Sequence, residues 1–160
     1  MKQKSAFILV VVLMLILSGC TQSQDSDASQ ESLPNPMVEM TSLEAINDRL
    51  GFTFDSLPAP ATDSVYYVIA DTIAEADLNF EEKAFTIRKA KRSEEDISGV
   101  YTQFNHGQTI TDSRGNTVFY QYNDGAEGLA TFSTTDYDYS VYTAENFDLN
   151  VMQVVVNNLF

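Results

Sequence analysis

Few side chains in this sequence could carry chemistry, and their spacing decides which kind. Histidine occurs once, as His106 in "FNHGQT". Nucleophilic catalysis needs an activated Ser, Cys or Lys beside such a base, usually with a third group to orient it. Nothing in the spacing sets a serine against His106, and Asn105 and Gly107 on either side place it in a loop between strands. No catalytic residue is assigned. Cysteine also occurs once, as Cys20, so a zinc site built from several His and Cys ligands is excluded. Calcium takes carboxylates and carbonyls, which Asp124 and Glu127 in "YNDGAEG" and Asp136 and Asp138 in "STTDYDYS" offer. EF-hand spacing is absent, and a solvated acidic face accounts for these residues without a metal. Paired carboxylates for acid–base work occur at any spacing among 23 acidic residues, so spacing singles out none. No Gly-rich phosphate loop follows a strand. The sequence therefore assigns no metal and no cofactor.

Two further groups bear on binding. The densest basic stretch is "IRKAKR", residues 87–92. In a strand Arg88 and Lys89 point to opposite faces, so cross-strand pairing with acidic neighbours is the ordinary expectation and a docking spot for an anionic partner the alternative. The aromatic residues Phe119, Tyr120, Tyr122, Tyr137, Tyr139 and Tyr142 cluster toward the end of the chain. Tyr137 and Tyr139 share one face of a regular strand, opposite Asp136 and Asp138. That face is either core or an exposed recognition surface of the kind tyrosines favour. Tyr137, Tyr139, Arg88 and Lys89 are the candidate binding residues.

The position of the thiol says where these groups would sit. Met1–Lys4 carry Lys2 and Lys4, residues 6–17 are unbroken apolar, and Ser18 and Gly19 precede Cys20. This is a charged, then apolar, then small-residue leader. The apolar run is well short of the roughly 20 residues a membrane-spanning helix needs. Its end, "LSGC", resembles the lipobox of bacterial lipoproteins at every position. The resemblance implies that Cys20 receives a diacylglycerol and becomes the first residue of the mature chain, lipid-anchored at the cell membrane and facing outside the cytoplasm. An ordinary signal peptide with an incidental cysteine, or an uncleaved anchor, is the alternative. With one cysteine the folded part has no internal disulfide, and its stability must come from its core.

The whole chain has a formal net charge of -14; removal of residues 1–19 takes Lys2 and Lys4 with it and leaves 7 basic against 23 acidic side chains. Such a surface repels nucleic acid and anionic headgroups, so the expected membrane contact is the acyl anchor alone. Residues 20–36 begin at Cys20 and run through Ser, Gln, Asp and two prolines with almost nothing to bury. That composition predicts a disordered tether, with a reach of roughly 22 Å. Residues 37–160 suit a single domain.

Within it, "MTSLEAINDRLGF" predicts a helix over 42–50, with Thr41 and Glu44 as a capping box and Gly51 beyond its end. "LPAPA" interrupts regular structure. From residue 64 to 142 the pattern has period two, predicting strands near 64–70, 73–80, 83–91, 108–113, 117–123, 129–134 and 138–143. "DSRGNT" and "NDGAEG" have hairpin-loop chemistry. Leu149, Met152, Val155, Val156 and Leu159 have helical spacing after Asp148, a cap candidate. The expected fold is α+β: an antiparallel meander of six or seven strands, with a short helix before it and one after it packed on one face.

Three stretches, "NPMVE" (35–39), "IRKA" (87–90) and "EEDISGVY" (94–101), resemble a family of small, uncharacterised lipoproteins and secreted domains of Gram-positive bacteria. The resemblance spans roughly residues 35–160. It implies fold and location, and carries no activity. Where that family has a tryptophan on the strand at 129–134, this chain has Phe132. The resulting expectation is an extracytoplasmic lipoprotein that is not an enzyme but a binding or sensing module with a protein or envelope partner. The alternatives are a small envelope hydrolase using carboxylates and a structural or regulatory subunit of a membrane complex.

Overall fold

The computed structural model describes residues 36–160; the leader, Cys20 and the tether up to residue 35 lie outside the described residues. The elements run β1 (Met37–Met40), α1 (Leu43–Leu50), β2 (Thr62–Ile69), β3 (Ile73–Phe80), β4 (Lys83–Lys91), β5 (His106–Thr111), β6 (Thr117–Tyr122), β7 (Gly128–Ser133), β8 (Tyr137–Thr143) and α2 (Leu149–Asn157). Period-two alternation thus yields strands where it is expected, within one or two residues. β1 is additional: "MVEM" is too short and too weakly patterned to announce itself.

All eight strands join one antiparallel sheet in the order β1-β2-β3-β4-β8-β7-β6-β5. This corrects the expected single meander of six or seven strands. Two four-stranded meanders meet along β4 and β8, with Ile87 opposite Val141 at the seam. Residues 92–105 carry the chain from central β4 to the far edge strand β5. Short loops dictate pairing inside each meander, but a long connection leaves the next strand's position to the core.

Both helices have local stop and start signals. The α1 N-cap is Ser42, whose Oγ accepts the Ala45 N–H at 3.2 Å, which moves the cap one residue along from the expected Thr41. Gly51 ends α1 at φ 75°, a left-handed conformation in which glycine carries no Cβ penalty, and donates its N–H to Asn47 O. In α2 the Asp148 carboxylate accepts the N–H groups of Asn150 and Val151. That cap overrides the β preference of Val154–Val156, because Met152, Val155 and Val156 then fall on one buried stripe.

One face of the sheet supplies the core. Val68, Ala74, Ala76, Leu78, Phe85, Ile87, Val141, Ala130, Phe132 and Tyr120 form a continuous apolar layer with Ile46 of α1 and Met152, Val155 and Val156 of α2. Both helices therefore cover the same face. Aromatic packing closes it beside the β7–β8 turn: Phe52 meets Tyr137 at 5.3 Å between ring centres, and Phe160 meets Phe132 at 4.5 Å. At the start of β7, the Phe147 ring lies directly where a Cβ on Gly128 would stand. A Gly128→Ala change must push that ring off its stack with Tyr122, whose centre is 4.6 Å away. Overpacking of this kind costs about 1–3 kcal/mol, and chemical denaturation should show a loss of that size with an unchanged m-value.

Candidate functional site

The other face of the sheet carries most of the polar chemistry. Register places Glu75, Arg88, Ser140, Thr131, Phe119 and Thr109 in one row across β3, β4, β8, β7, β6 and β5. Helices do not cover this side; the 92–105 crossover lies over part of it. Arg88 holds the crossover down. Its Nε donates to Glu75 Oε2 at 2.5 Å, and its Nη1 donates to the carbonyls of Ile97 and Ser98 at 3.2 and 2.7 Å. Gly99 takes φ +63° beside this guanidinium, and a Cβ there would collide with it. Ile97 and Ser98 are buried as a result.

Lys89 does the corresponding work on the helix side. Its ammonium donates to Thr53 O at 2.7 Å and to Asp55 Oδ2 at 3.0 Å, which ties down the loop after α1. It also lies 4.3 Å from the Tyr137 ring centre and 5.4 Å from that of Tyr139, within cation–π range. Lys89 is 1 % exposed and Tyr139 4 %. The recognition surface considered for Tyr137, Tyr139, Arg88 and Lys89 therefore does not form. The opposite pointing of Arg88 and Lys89 holds, and Arg88 makes the expected cross-strand pair, but the tyrosines and the lysine belong to the core face, where helices and loop cover them. A strand lysine reads as a wet position in sequence; nothing local to it reveals the carbonyl waiting at Thr53.

Burial sets the electrostatics. It raises the Glu75 carboxyl above its ordinary value of 4.5, although hydrogen bonding and attraction from Arg88 pull it down. Desolvation together with repulsion from Asp77 outweighs the attraction of Arg88, so the pair positions the crossover more than it stabilises the fold. Burial also raises Tyr139, against the pull of the Lys89 ammonium, and pushes Tyr120 up to about 12.

The remaining candidates are dispersed. His106 opens edge strand β5 instead of sitting in a loop; it stacks on Tyr122 and places Nε2 3.2 Å from Asp124 Oδ2, both side chains exposed. Asp138 accepts from Ser93 N–H and Ser133 Oγ, and Glu127 accepts from Asn123 Nδ2, so both carboxylates serve loops. Among the described residues no group of three or more His, Cys, Asp or Glu could hold a metal ion, and no helix is long and apolar enough to cross a membrane.

Between the crossover and β5–β8 lies an open groove of about 630 Å³. Glu94, Glu95, Asp96 and Asp138 form its acidic side, Thr109, Thr117, Thr131 and Ser133 supply hydroxyls, and Phe119, 41 % exposed, stands among them. This groove was not legible from spacing, because the crossover that walls it is remote in sequence from the strands beneath. The one available hint was Phe119, which alternates out of phase with Val118 and Tyr120.

No family model matches the sequence, and neither a curated protein nor a solved structure matches the chain.

The raised Glu75 pKa has a definite sign. Between the ordinary carboxyl value and the raised one, the native state holds a proton that the unfolded state has lost, so Glu75 weakens folding progressively as pH rises through that interval. Glu75→Gln keeps an acceptor for Arg88 and removes the titration. Its stability relative to wild type should therefore improve as pH rises from about 4.5 toward neutrality, as read by denaturant midpoints over that range; an unchanged difference would contradict the assignment.

Proposed function

We propose that this chain is an extracytoplasmic lipoprotein, held at the membrane by lipid on Cys20, whose domain is a non-enzymatic binding module acting through the uncovered part of its sheet. The observation that carries the binding reading is the groove beside Phe119. A large aromatic residue stands 41 % exposed at the wall of a cleft of about 630 Å³, surrounded by hydroxyls and carboxylates. An apolar anchor with a polar surround is the usual make-up of a binding surface.

Three further features support it. His106 stands exposed on an edge strand, stacked on Tyr122 and paired at the surface with Asp124, rather than beside an activated serine. The buried carboxylate Glu75 is spent on Arg88 and lies beneath the crossover. The "LSGC" leader end and the "NPMVE", "IRKA" and "EEDISGVY" stretches resemble small lipoproteins of Gram-positive bacteria, which favours an anchored module outside the cytoplasm.

The anchor and the surface have separate tests. Cys20→Ala should shift the protein from the membrane fraction to the medium; full retention of unlipidated chain at the membrane would overturn the anchoring. Phe119→Ser should abolish crosslinks formed by the full chain on intact cells, with a melting temperature within a few degrees of wild type, because its ring is exposed. Unchanged crosslinks would move the binding surface elsewhere.

A further inference from the structure

Beside the groove the sheet ends at β5, and its edge is unguarded. Natural sheets blunt exposed edges with Lys, Pro, bulges or very short strands. The opposite edge strand, β1, is only four residues long and carries Glu39. β5 is six residues, "HGQTIT", with no Pro and no Lys, Arg, Asp or Glu, and a regular register against β6.

The direction of its backbone groups follows from the hairpins. Asp112 N–H donates to Asn116 O, and Asn123 N–H to Glu127 O. Antiparallel strands alternate hydrogen-bonded and non-bonded pairs, so with these phases Gln108 and Ile110 bond to β6, while Gly107, Thr109 and Thr111 turn their N–H and C=O outward. Three residues in succession along one edge thus offer a ladder for another strand. Gly107 accommodates the Phe119 ring, which leans across β5 from β6: a Cβ there would come within 3.3 Å of it.

Charge selects the occupant. Of the seven basic side chains among the described residues, six are already engaged: Arg49 with Asp71, Lys83 with Asn146 O, Arg88 with Glu75, Lys89 with Asp55, Arg92 with Thr134 O and Arg114 with Asp112. No Lys or Arg lines the groove itself; the seventh, Lys91, lines a neighbouring cleft with Arg92, Glu95 and Asp96, and Thr109 of β5 lines the same groove as Glu94, Glu95 and Asp96. A second copy of this acidic chain would be repelled here. Resting on the binding-module reading, we propose that the partner is a basic polypeptide segment that adds to β5 as an extended strand and turns alternate Lys or Arg side chains over Thr109 toward Glu94–Asp96. Backbone bonds along the edge would give affinity, and the carboxylates would give the choice of partner.

The test uses the full chain in non-ionic detergent and fluorescence anisotropy with three short labelled peptides, alternating Lys-Val, Thr-Val and Glu-Val. Lys-Val should bind saturably and weaken with added salt, with Thr-Val about tenfold weaker and Glu-Val not detected. Thr109→Pro removes an outward N–H and no bond within the sheet, and should weaken Lys-Val binding about tenfold. The double change Glu94→Lys with Glu95→Lys, on the exposed crossover, should do the same and keeps the question answerable if the proline variant does not fold. Equal binding of Thr-Val, undiminished Lys-Val binding by either variant, or a concentration-dependent dimer in place of peptide binding would each overturn the proposal. Cell-surface crosslinks separate the two readings: if Phe119→Ser loses them and Thr109→Pro keeps them, the edge is wrong and the face stands; if both keep them, both fall.

Discussion

Two neighbouring cations on the central strand hold the domain together from both sides. Arg88 reaches one way to Glu75 and the carbonyls of the crossover, and Lys89 reaches the other way to Thr53 and Asp55. Each secures a long loop that has little regular structure of its own, and each loop in turn closes one layer of the molecule. Neither cation earns its place through simple attraction. Burial and repulsion from Asp77 together raise the Glu75 carboxyl against the pull of Arg88, and Asp55 is 84 % exposed, so the Lys89 pair is largely screened. Each cation satisfies peptide carbonyls, two for Arg88 and one for Lys89, and a buried carbonyl without a donor is the costlier state.

Seen this way, the two faces of the sheet have different duties. The helix side buries its apolar stripe and the Lys89–tyrosine cluster. On the other side a loop instead of a helix covers the sheet, and a loop covers less. The uncovered remainder is where Phe119, the threonines and the acidic crossover meet. The groove is a by-product of topology: it exists because the chain must travel from the middle of the sheet to its edge.

Much of this was written locally in the sequence. Alternation in "IAEADLNF" and "KAFTIRKAK" marks β3 and β4, turn residues mark the hairpins, and Asp148 with the Met152, Val155 and Val156 stripe marks α2. What was not written locally is which strand lies beside which. Nothing in residues 83–91 or 137–143 names the other as a partner, so the β4–β8 seam, the crossover's path and the groove it walls could not be read from periodicity. The same holds for Lys89 and Tyr139: alternation correctly put Tyr137 and Tyr139 on one face but could not say that a helix and a loop would cover it. Two of the quoted stretches gain a physical meaning in turn, since "IRKA" supplies both cations and "EEDISGVY" contains Ile97, Ser98 and Gly99, against which the Arg88 guanidinium packs.

The seam between β4 and β8 also orders events in time. During synthesis β4 precedes its partner by some fifty residues, and pairings so distant in sequence form late. Until the last strand arrives, β4 is an exposed rim of a half-built sheet, in the state most prone to join a neighbouring chain. Its middle then presents two adjacent positive charges, a defence against self-association among nascent molecules. The residues that fasten the finished domain are thus the same ones that guard it while it is incomplete.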